Sequence, residues 1–182
     1  QATYEANKRK ATSLTAEAKQ LGSTWTAASI DAAIKRYVAA RQIWRMLQDR
    51  REEALVLEEA GKAFLTLSRF KEAQSAFSDS HAIYEQLKDS RRAAELLAEV
   101  GDVHFMMGNH RQAIVACEQA LALDNGDRVK ARALTIIAEA THLLGDFSRA
   151  SQLVTEAIRV WQSLNDPEGQ ARASRRSRQS RS

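Results

Sequence analysis

The sequence predicts an all-α protein built from repeated pairs of helices, and three observations carry that prediction. Apolar residues make up 44% of the chain but aromatic residues only 6%, and alanine is abundant. There is a single proline, and runs of the β-branched residues typical of strands are scarce. Similar segments also recur along the chain, which is the signature of a helical-repeat architecture.

The repeat is most visible in four segments that each end on an aspartate. They are Ile30–Asp49, Phe70–Asp89, His110–Asp127 and Phe147–Asp166, and the closing aspartates lie 40, 38 and 39 residues apart. A second block of similar pattern, residues 53–69, 94–109 and 131–146, precedes the last three of them. One unit is therefore two amphipathic helices joined by a short turn.

This periodicity predicts helices at residues 2–21, 29–48, 50–67, 70–87, 90–107, 110–123, 127–144 and 147–164. Residues 22–29 form a longer loop than the others. Asp166 and Pro167 suit the N-cap and first position of one further helix.

Small and large residues recur at fixed positions within the units, and this pattern resembles that of the tetratricopeptide-repeat (TPR) family. The first helices carry Gly61, Gly101 and Ala138 at the small position. The second helices carry Ala73, Ala113 and Ala150 at a tight contact and Phe77, Cys117 and Val154 at a large position; Ala33, Tyr37 and Ala40 supply the corresponding trio in the first unit. Small residues allow two helix axes to approach closely while large ones fill the adjacent grooves.

The resemblance implies a TPR α-solenoid, a right-handed superhelix of antiparallel helix pairs with about eight helices. It implies a divergent N-terminal pair at residues 1–49 and TPR units at 50–89, 90–127 and 128–166. Residues 167–174 would begin a further helix and 175–182 would be a disordered basic tail. The long units resemble those of bacterial signalling proteins and kinesin light chains, and the N-terminal run resembles the TPR region that precedes CHAT peptidase domains in bacteria.

The basic character of the chain is concentrated at its C-terminus. The formal net charge is +4, but the last twelve residues contain five arginines and no acid, which leaves about −1 for residues 1–170. The tail could attract phosphate groups or anionic lipid, or it could be a solvated end. Because no aromatic residues are interleaved with the arginines, the sequence argues against nucleic-acid binding.

No catalytic, cofactor or metal motif is recognisable, so the sequence predicts a protein that is not an enzyme and holds no cofactor. Cys117 with His104 or His110 as a base is one conceivable catalytic pair, but its repeat position predicts a buried, unreactive thiol. The four histidines, His81, His104, His110 and His142, are scattered over three units, which favours packed or surface imidazoles over a metal site.

The TPR resemblance places a partner-binding groove on the first helix of each unit. The positions that correspond to the family's groove are Leu55, Glu58, Lys62, Leu65 and Thr66; Glu95, Ala98, Asp102, Phe105 and Met106; and Arg132, Thr135, Glu139, His142 and Leu143. TPR domains that grip acidic chaperone tails use Lys and Asn there. The equivalent sites here hold Glu58, Glu59, Glu95 and Glu99, which argues against that clamp.

The groove positions predict a particular kind of partner. Leu65, Phe105, Met106 and Leu143 form an apolar stripe not required by the core, and acids outnumber bases around it. An apolar peptide or helix with basic flanks is therefore the expected ligand. Alternatively, the stripe meets another helix of the same or a longer chain, the array is the docking module of a larger bacterial enzyme such as a CHAT peptidase, or the protein dimerises through its C-terminal edge at Trp161 and Leu164.

No apolar run approaches the ~18–20 residues needed to span a bilayer. The sequence favours a cytoplasmic protein and leaves export open, because the chain starts at Gln1 rather than Met.

Overall fold

The computed structural model describes residues 2–124, 126–171 and 173, and within them the regular structure is helical. The helices are α1 (Ala2–Gly22), α2 (Ala27–Met46), α3 (Arg50–Thr66), α4 (Phe70–Gln86), α5 (Ser90–Met106), α6 (His110–Leu123), α7 (Asp127–Leu143) and α8 (Phe147–Ser163). A short helical segment follows at residues 167–171 and 173. The predicted all-α class is confirmed.

The largest difference from the predicted helix bounds is at α2, which begins and ends two residues earlier than expected. The Thr26 side chain accepts a hydrogen bond from the Ser29 backbone N–H at 3.1 Å, and the Ser29 hydroxyl accepts one from the Thr26 N–H at 3.2 Å. This reciprocal capping box starts the helix at Ala27 and shortens the predicted loop.

One turn geometry ends α2, α3, α4, α5, α7 and α8. The residue after each cap has a left-handed backbone, with φ between +49° and +92°; these residues are Gln48, Ser68, Lys88, Gly108, Gly145 and Asn165. Its N–H and that of the next residue bond back to carbonyls of the last helical turn, as in Gly145 to His142 and Asp146 to Thr141. This is the Schellman motif, which reverses the chain within two or three residues.

The residue that completes this turn often caps the following helix as well. Asp49 accepts the N–H of Glu52 at 3.2 Å, and Asp146 accepts that of Arg149 at 3.0 Å. Asp166 likewise accepts the N–H of Gly169 at 2.9 Å, which confirms its predicted role as an N-cap ahead of Pro167. The end of one helix and the start of the next are thus fixed by the same few residues.

The chain divides into two compact units, Gln1–Asp89 and Ser90–Ser182. In the first unit α1 packs on α2, α2 on α3, and α3 on α4. Its core includes Ala11, Ala18, Tyr37, Trp44 and Val56. In the second unit α5 packs on α6 and α7, α6 on α7, and α7 on α8.

The predicted close contact between paired helices is confirmed inside each unit. A Cβ atom added at Gly61 would lie 2.5 Å from the Phe77 ring, and one added at Gly101 would lie 2.5 Å from the Cys117 Sγ. Phe77 and Cys117 are both fully buried. A larger residue at either position would therefore force the Phe77 ring or the Cys117 sulfur to move.

Trp161 closes the core of the second unit rather than presenting an open edge. Only 7% of its surface is exposed, and it packs with Ala131 and Ala173. Its indole N–H donates to the Thr135 hydroxyl at 3.2 Å, and Gly169 lies against its ring. Because the segment after Pro167 covers this tryptophan, the predicted dimer edge at Trp161 is occupied by the chain itself.

The basic tail predicted at residues 175–182 lies outside the described residues. None of the described helices is both long enough and apolar enough to cross a membrane.

Candidate functional site

In the first unit, the predicted groove residues of α3 share one helix face. Leu55, Glu58 and Leu65 are half-buried and Lys62 is exposed. The Lys62 ammonium lies 2.8 Å from Glu58 and 2.9 Å from Glu59. Burial alone would lower the pKa of Lys62, but the hydrogen bonds that it donates to Glu58 and Glu59 outweigh burial and raise that pKa. This face is therefore an ion-paired surface with an apolar residue at each end.

In the second unit, α5 and α7 pack side by side. Both are antiparallel to α6 because the connecting turns are short, so α5 and α7 run in the same direction and their C-terminal ends lie at the same edge. We call the surface they share the α5–α7 face; its residues are Glu95, Glu99, Asp102 and Met106 on α5 and Arg132, His142 and Leu143 on α7.

The centre of the α5–α7 face is an ionic cluster around Arg132. Its guanidinium binds both carboxylate oxygens of Glu99, with the Nη2–Oε2 pair at 2.6 Å, and lies 3.3 Å from Asp102. Burial alone would lower the pKa of Arg132, but the charges of Glu99 and Asp102 outweigh this and raise it. The bidentate geometry fixes the orientation of the side chain as well as its charge.

The acidic excess predicted for this face is smaller than a count of groove residues suggests. Glu95 pairs with Arg92 at 2.6 Å and with Arg91 at 3.4 Å, both in the first turn of α5. Asp102 is paired with Arg132. Sequence reasoning missed these partners because Arg91 and Arg92 precede the groove positions, and Glu99 meets Arg132 only when α5 and α7 pack together.

The C-terminal edge of the face is apolar and accessible. Met106 is 41% exposed and Leu143 is 57% exposed, and each occupies the last turn of its helix. His142 stacks edge-on against Phe147, with ring centroids 4.9 Å apart. These side chains could contact a partner without any rearrangement of the core.

Four predicted groove positions are buried or packed against the core instead. Phe105, predicted to be surplus to the core, packs against the cluster that contains Ala113, Cys117 and Ile137 and stacks with His110 at 5.4 Å. Ala98 and Thr135 are buried, and the Thr135 hydroxyl accepts a hydrogen bond from the Trp161 indole N–H. Glu139 is also buried. The apolar stripe of the second unit therefore narrows to Met106 and Leu143.

Cys117 is buried as predicted, and its surroundings argue against a nucleophile. Burial, reinforced by the charge of Asp102, raises the pKa of its thiol to about 12. A thiol with that pKa is almost entirely protonated at neutral pH. Among the described residues no group of three or more His, Cys, Asp or Glu side chains could hold a metal ion.

Comparison with known protein families tests the assignment of the repeat. The family model described as tetratricopeptide repeat matches residues 90–163, which cover α5 to α8. The tetratricopeptide-repeat family is thereby supported. A search of curated protein sequences finds no match.

Several solved structures resemble the chain over most of its length. Aspartyl phosphate phosphatase F from Bacillus subtilis has a TM-score of 0.79 at 15% identity, covering 91% of this chain and 44% of that one. The Rap conjugation gene regulator of plasmid pLS20, in complex with the Phr* peptide, has a TM-score of 0.71 at 14% identity, covering 91% and 46%. TPR-like repeats of a putative kinesin light chain from Podosopora anserina have a TM-score of 0.68 at 14% identity, covering 93% and 88%.

The chain thus spans less than half the length of the phosphatase and of the Rap regulator. At these levels of identity the similarity shows a shared fold.

Proposed function

We propose that this protein is an interaction scaffold that binds a segment of a partner protein on the α5–α7 face. The observation that carries the proposal is the exposure of Met106 and Leu143 at the C-terminal ends of the two helices that also carry the ionic cluster of Arg132, Glu99 and Asp102. Two rigid helices present these groups together, so a bound segment would meet an arrangement that needs little ordering. The similar Rap regulator was solved with a peptide, which supports this kind of ligand.

The partner segment is a peptide or helix with apolar side chains and basic flanks. Its apolar residues would cover Met106 and Leu143. The Nη atoms of Arg132 are already engaged by Glu99 and Asp102, whereas ionised carboxylates can accept further hydrogen bonds. A cationic flank is therefore accommodated more readily than an anionic one. In the first unit, a separate candidate contact surface lies on α3, where Leu55 and Leu65 flank the ion-paired Glu58 and Lys62.

A peptide library selected on the immobilised protein tests this proposal. The affinity of a selected peptide should fall at least about tenfold in Met106→Asp and Leu143→Asp, because a charge would replace a central apolar contact. Val115→Asp is the matched control, since Val115 is 52% exposed on α6, away from the face; it should change the affinity less than twofold. Phe105 is unsuitable for this test because it supports the core.

Unchanged affinity in both face variants, or equal losses in all three variants, would contradict the proposal. Thermal unfolding of each variant establishes that a loss of binding is not a loss of folding.

A docking or regulatory role within a larger enzyme is the second candidate. It is favoured by the phosphatase and the Rap regulator, in which a chain of this length corresponds to less than half of the protein. The gene sequence on either side of this chain tests it: an adjoining catalytic domain supports the role, and stop and start codons at the chain ends contradict it.

A further inference from the structure

A pocket of ≈ 240 Å³ opens between α2 and α4 in the first unit, with α3 as its floor. Its floor is apolar and is formed by Val56, Leu57, Ala60 and Phe64 of α3. Tyr37, Val38 and Arg41 of α2 line one wall, and Glu72, Ser75, Ala76 and Asp79 of α4 line the other. The proposed binding function makes no use of this pocket.

The repeat pattern explains why the pocket is open. Arg41 follows Ala40, and the corresponding residue after Ala120 in the second unit is Leu121. Ala76 lies three residues after Ala73, and the corresponding residue after Ala150 is Leu153. In the second unit Leu121 and Leu153 both pack against the core. The first unit instead turns Arg41 toward Asp79, at 2.9 Å, and leaves only a methyl group at Ala76.

The pocket is large enough for one bulky side chain. An apolar cavity of ~150 Å³ in another protein binds benzene, so a volume of ≈ 240 Å³ accommodates an indole or phenyl ring. Interfaces are commonly anchored by a single aromatic or large aliphatic side chain in such a pocket. The rigid helices on three sides mean that little conformational entropy is lost when it is filled.

Charged residues at the rim of the pocket determine which charged group of a partner can lie beside that anchor. Two carboxylates, Glu72 and Asp79, line it against one guanidinium, Arg41. That guanidinium already faces Asp79 and the buried Glu53, at 2.9 and 3.7 Å. Glu72 accepts a hydrogen bond from the Arg69 guanidinium at 2.9 Å, and this bond lowers the pKa of its carboxyl group. Both guanidiniums near the rim are therefore engaged by carboxylates, whereas the carboxylate oxygens of Glu72 and Asp79 can accept further hydrogen bonds, which favours a cation beside the anchor.

We propose that the α2–α4 pocket is a second docking site, which takes a partner segment that presents one bulky apolar side chain followed by Lys or Arg. It is distinct from the α3 positions proposed above to contact a ligand. One face of α3 carries Leu55, Glu58 and Leu65, and another carries Val56, Leu57 and Phe64. Because each residue advances 100° around a helix, these two faces are about 160° apart. The two surfaces can be tested and can fail independently.

The test measures binding of three acetylated, amidated dipeptides, Trp-Lys, Trp-Glu and Ala-Lys, to the full chain by methyl NMR. Trp-Lys should shift the methyl signals of Val38, Val56 and Leu57. Trp-Glu should bind several-fold more weakly because it faces Glu72 and Asp79, and Ala-Lys should produce no saturable shift because it lacks the anchor.

Ala76→Leu should reduce the affinity for Trp-Lys at least tenfold, since it places in the pocket the side chain that Leu153 supplies in the second unit. Ser78→Leu is the matched control, because it adds the same side chain to α4 at an exposed position outside the pocket. Glu72→Gln should weaken Trp-Lys about two- to fivefold, as expected for an exposed ion pair. Glu85→Gln, on the same helix but outside the pocket, should leave it unchanged.

Three results would overturn the proposal. The first is unchanged Trp-Lys binding in Ala76→Leu, or equal losses in Ala76→Leu and Ser78→Leu. The second is equal affinity for Trp-Lys and Trp-Glu. The third is a shift of the pocket methyl signals with protein concentration alone that disappears in Trp25→Ala, since the exposed Trp25 of a second copy would then be the occupant.

Discussion

The two units use the same steric plan with different side chains. In the first unit Gly61 makes room for the ring of Phe77, and in the second Gly101 makes room for the smaller Cys117. Each unit also has an ionic cluster, but the central residue has the opposite sign. Glu53 lies between Arg41 and Arg50 in the first, and Arg132 lies between Glu99 and Asp102 in the second.

The repeat pattern determines the residues that pair the helices and leaves the neighbouring positions variable. The positions that pair the helices keep their small and large residues in both units. Positions one helical turn away differ, and there Arg41 and Ala76 leave a pocket open while Leu121 and Leu153 pack into the core. Surfaces available for binding therefore depend on residues outside the repeat signature.

The largest expected difference between the units concerns Phe77 and Cys117. Phe77→Ala should lower the free energy of unfolding by about 3–5 kcal/mol, because a fully buried ring is replaced by a cavity next to Gly61. Cys117→Ala removes a single sulfur atom and should cost about 1 kcal/mol. Urea unfolding of the two variants measures this; equal losses would mean that the two contacts do not differ as described.

The second largest difference is expected between the contributions of the two ionic clusters to stability. Arg132→Gln leaves Glu99 and Asp102 side by side with little solvent and should cost about 2–3 kcal/mol, less than a fully buried pair because Arg132 is partly exposed. Glu53→Gln leaves Arg41 and Arg50, which are more accessible, and should cost about 1–2 kcal/mol. Chemical denaturation measures both losses, and the opposite order would contradict the roles assigned to the clusters.

The loss of stability at alkaline pH should start at different pH values for Tyr37 and Cys117, which occupy the same repeat position. Burial raises the pKa of both to about 12, from ordinary values of 10.0 for Tyr37 and 9.0 for Cys117. A raised folded-state pKa means that the unfolded state loses its proton first, so stability is retained below the ordinary value and lost as the pH rises toward 12.

Cys117→Ser should therefore reduce the loss of unfolding free energy that starts near pH 9. Tyr37→Phe should reduce the loss that starts near pH 10. Each group contributes roughly 1.4 kcal/mol per pH unit within its window. Denaturant unfolding at pH 8, 9.5 and 11 would provide the comparison; a slope unaffected by either variant would contradict the assigned burial.

The smallest effects belong to the left-handed turn residues. Ser68→Gly should stabilise the first unit by about 0.5–1 kcal/mol, since glycine adopts positive φ without the steric cost of a Cβ atom. Gly145→Ala at the equivalent turn of the second unit should destabilise it by about 1 kcal/mol. Thermal unfolding detects both changes, and effects of the same sign would argue against a shared turn geometry.

Periodicity and composition predict the helices to within about two residues because helix bounds depend on local spacing, and the resemblance to the TPR family predicts the Gly61 and Gly101 contacts. Positive φ at Gln48, Ser68 and Lys88 was not predictable, since those residue types carry no signal for it. The ionic clusters and the pocket depend on side chains from two or three helices. For the same reason Phe105 and Thr135 were placed in the groove although the folded chain uses them in its core.

The central proposal is that a partner binds at the α5–α7 face. Amide chemical-shift mapping of the ¹⁵N-labelled protein with a library-selected peptide measures this without any mutation. The account predicts the largest shifts in the last turns of α5 and α7, around Met106 and Leu143. Shifts confined to α6 and α8, with those two turns unaffected, would contradict it.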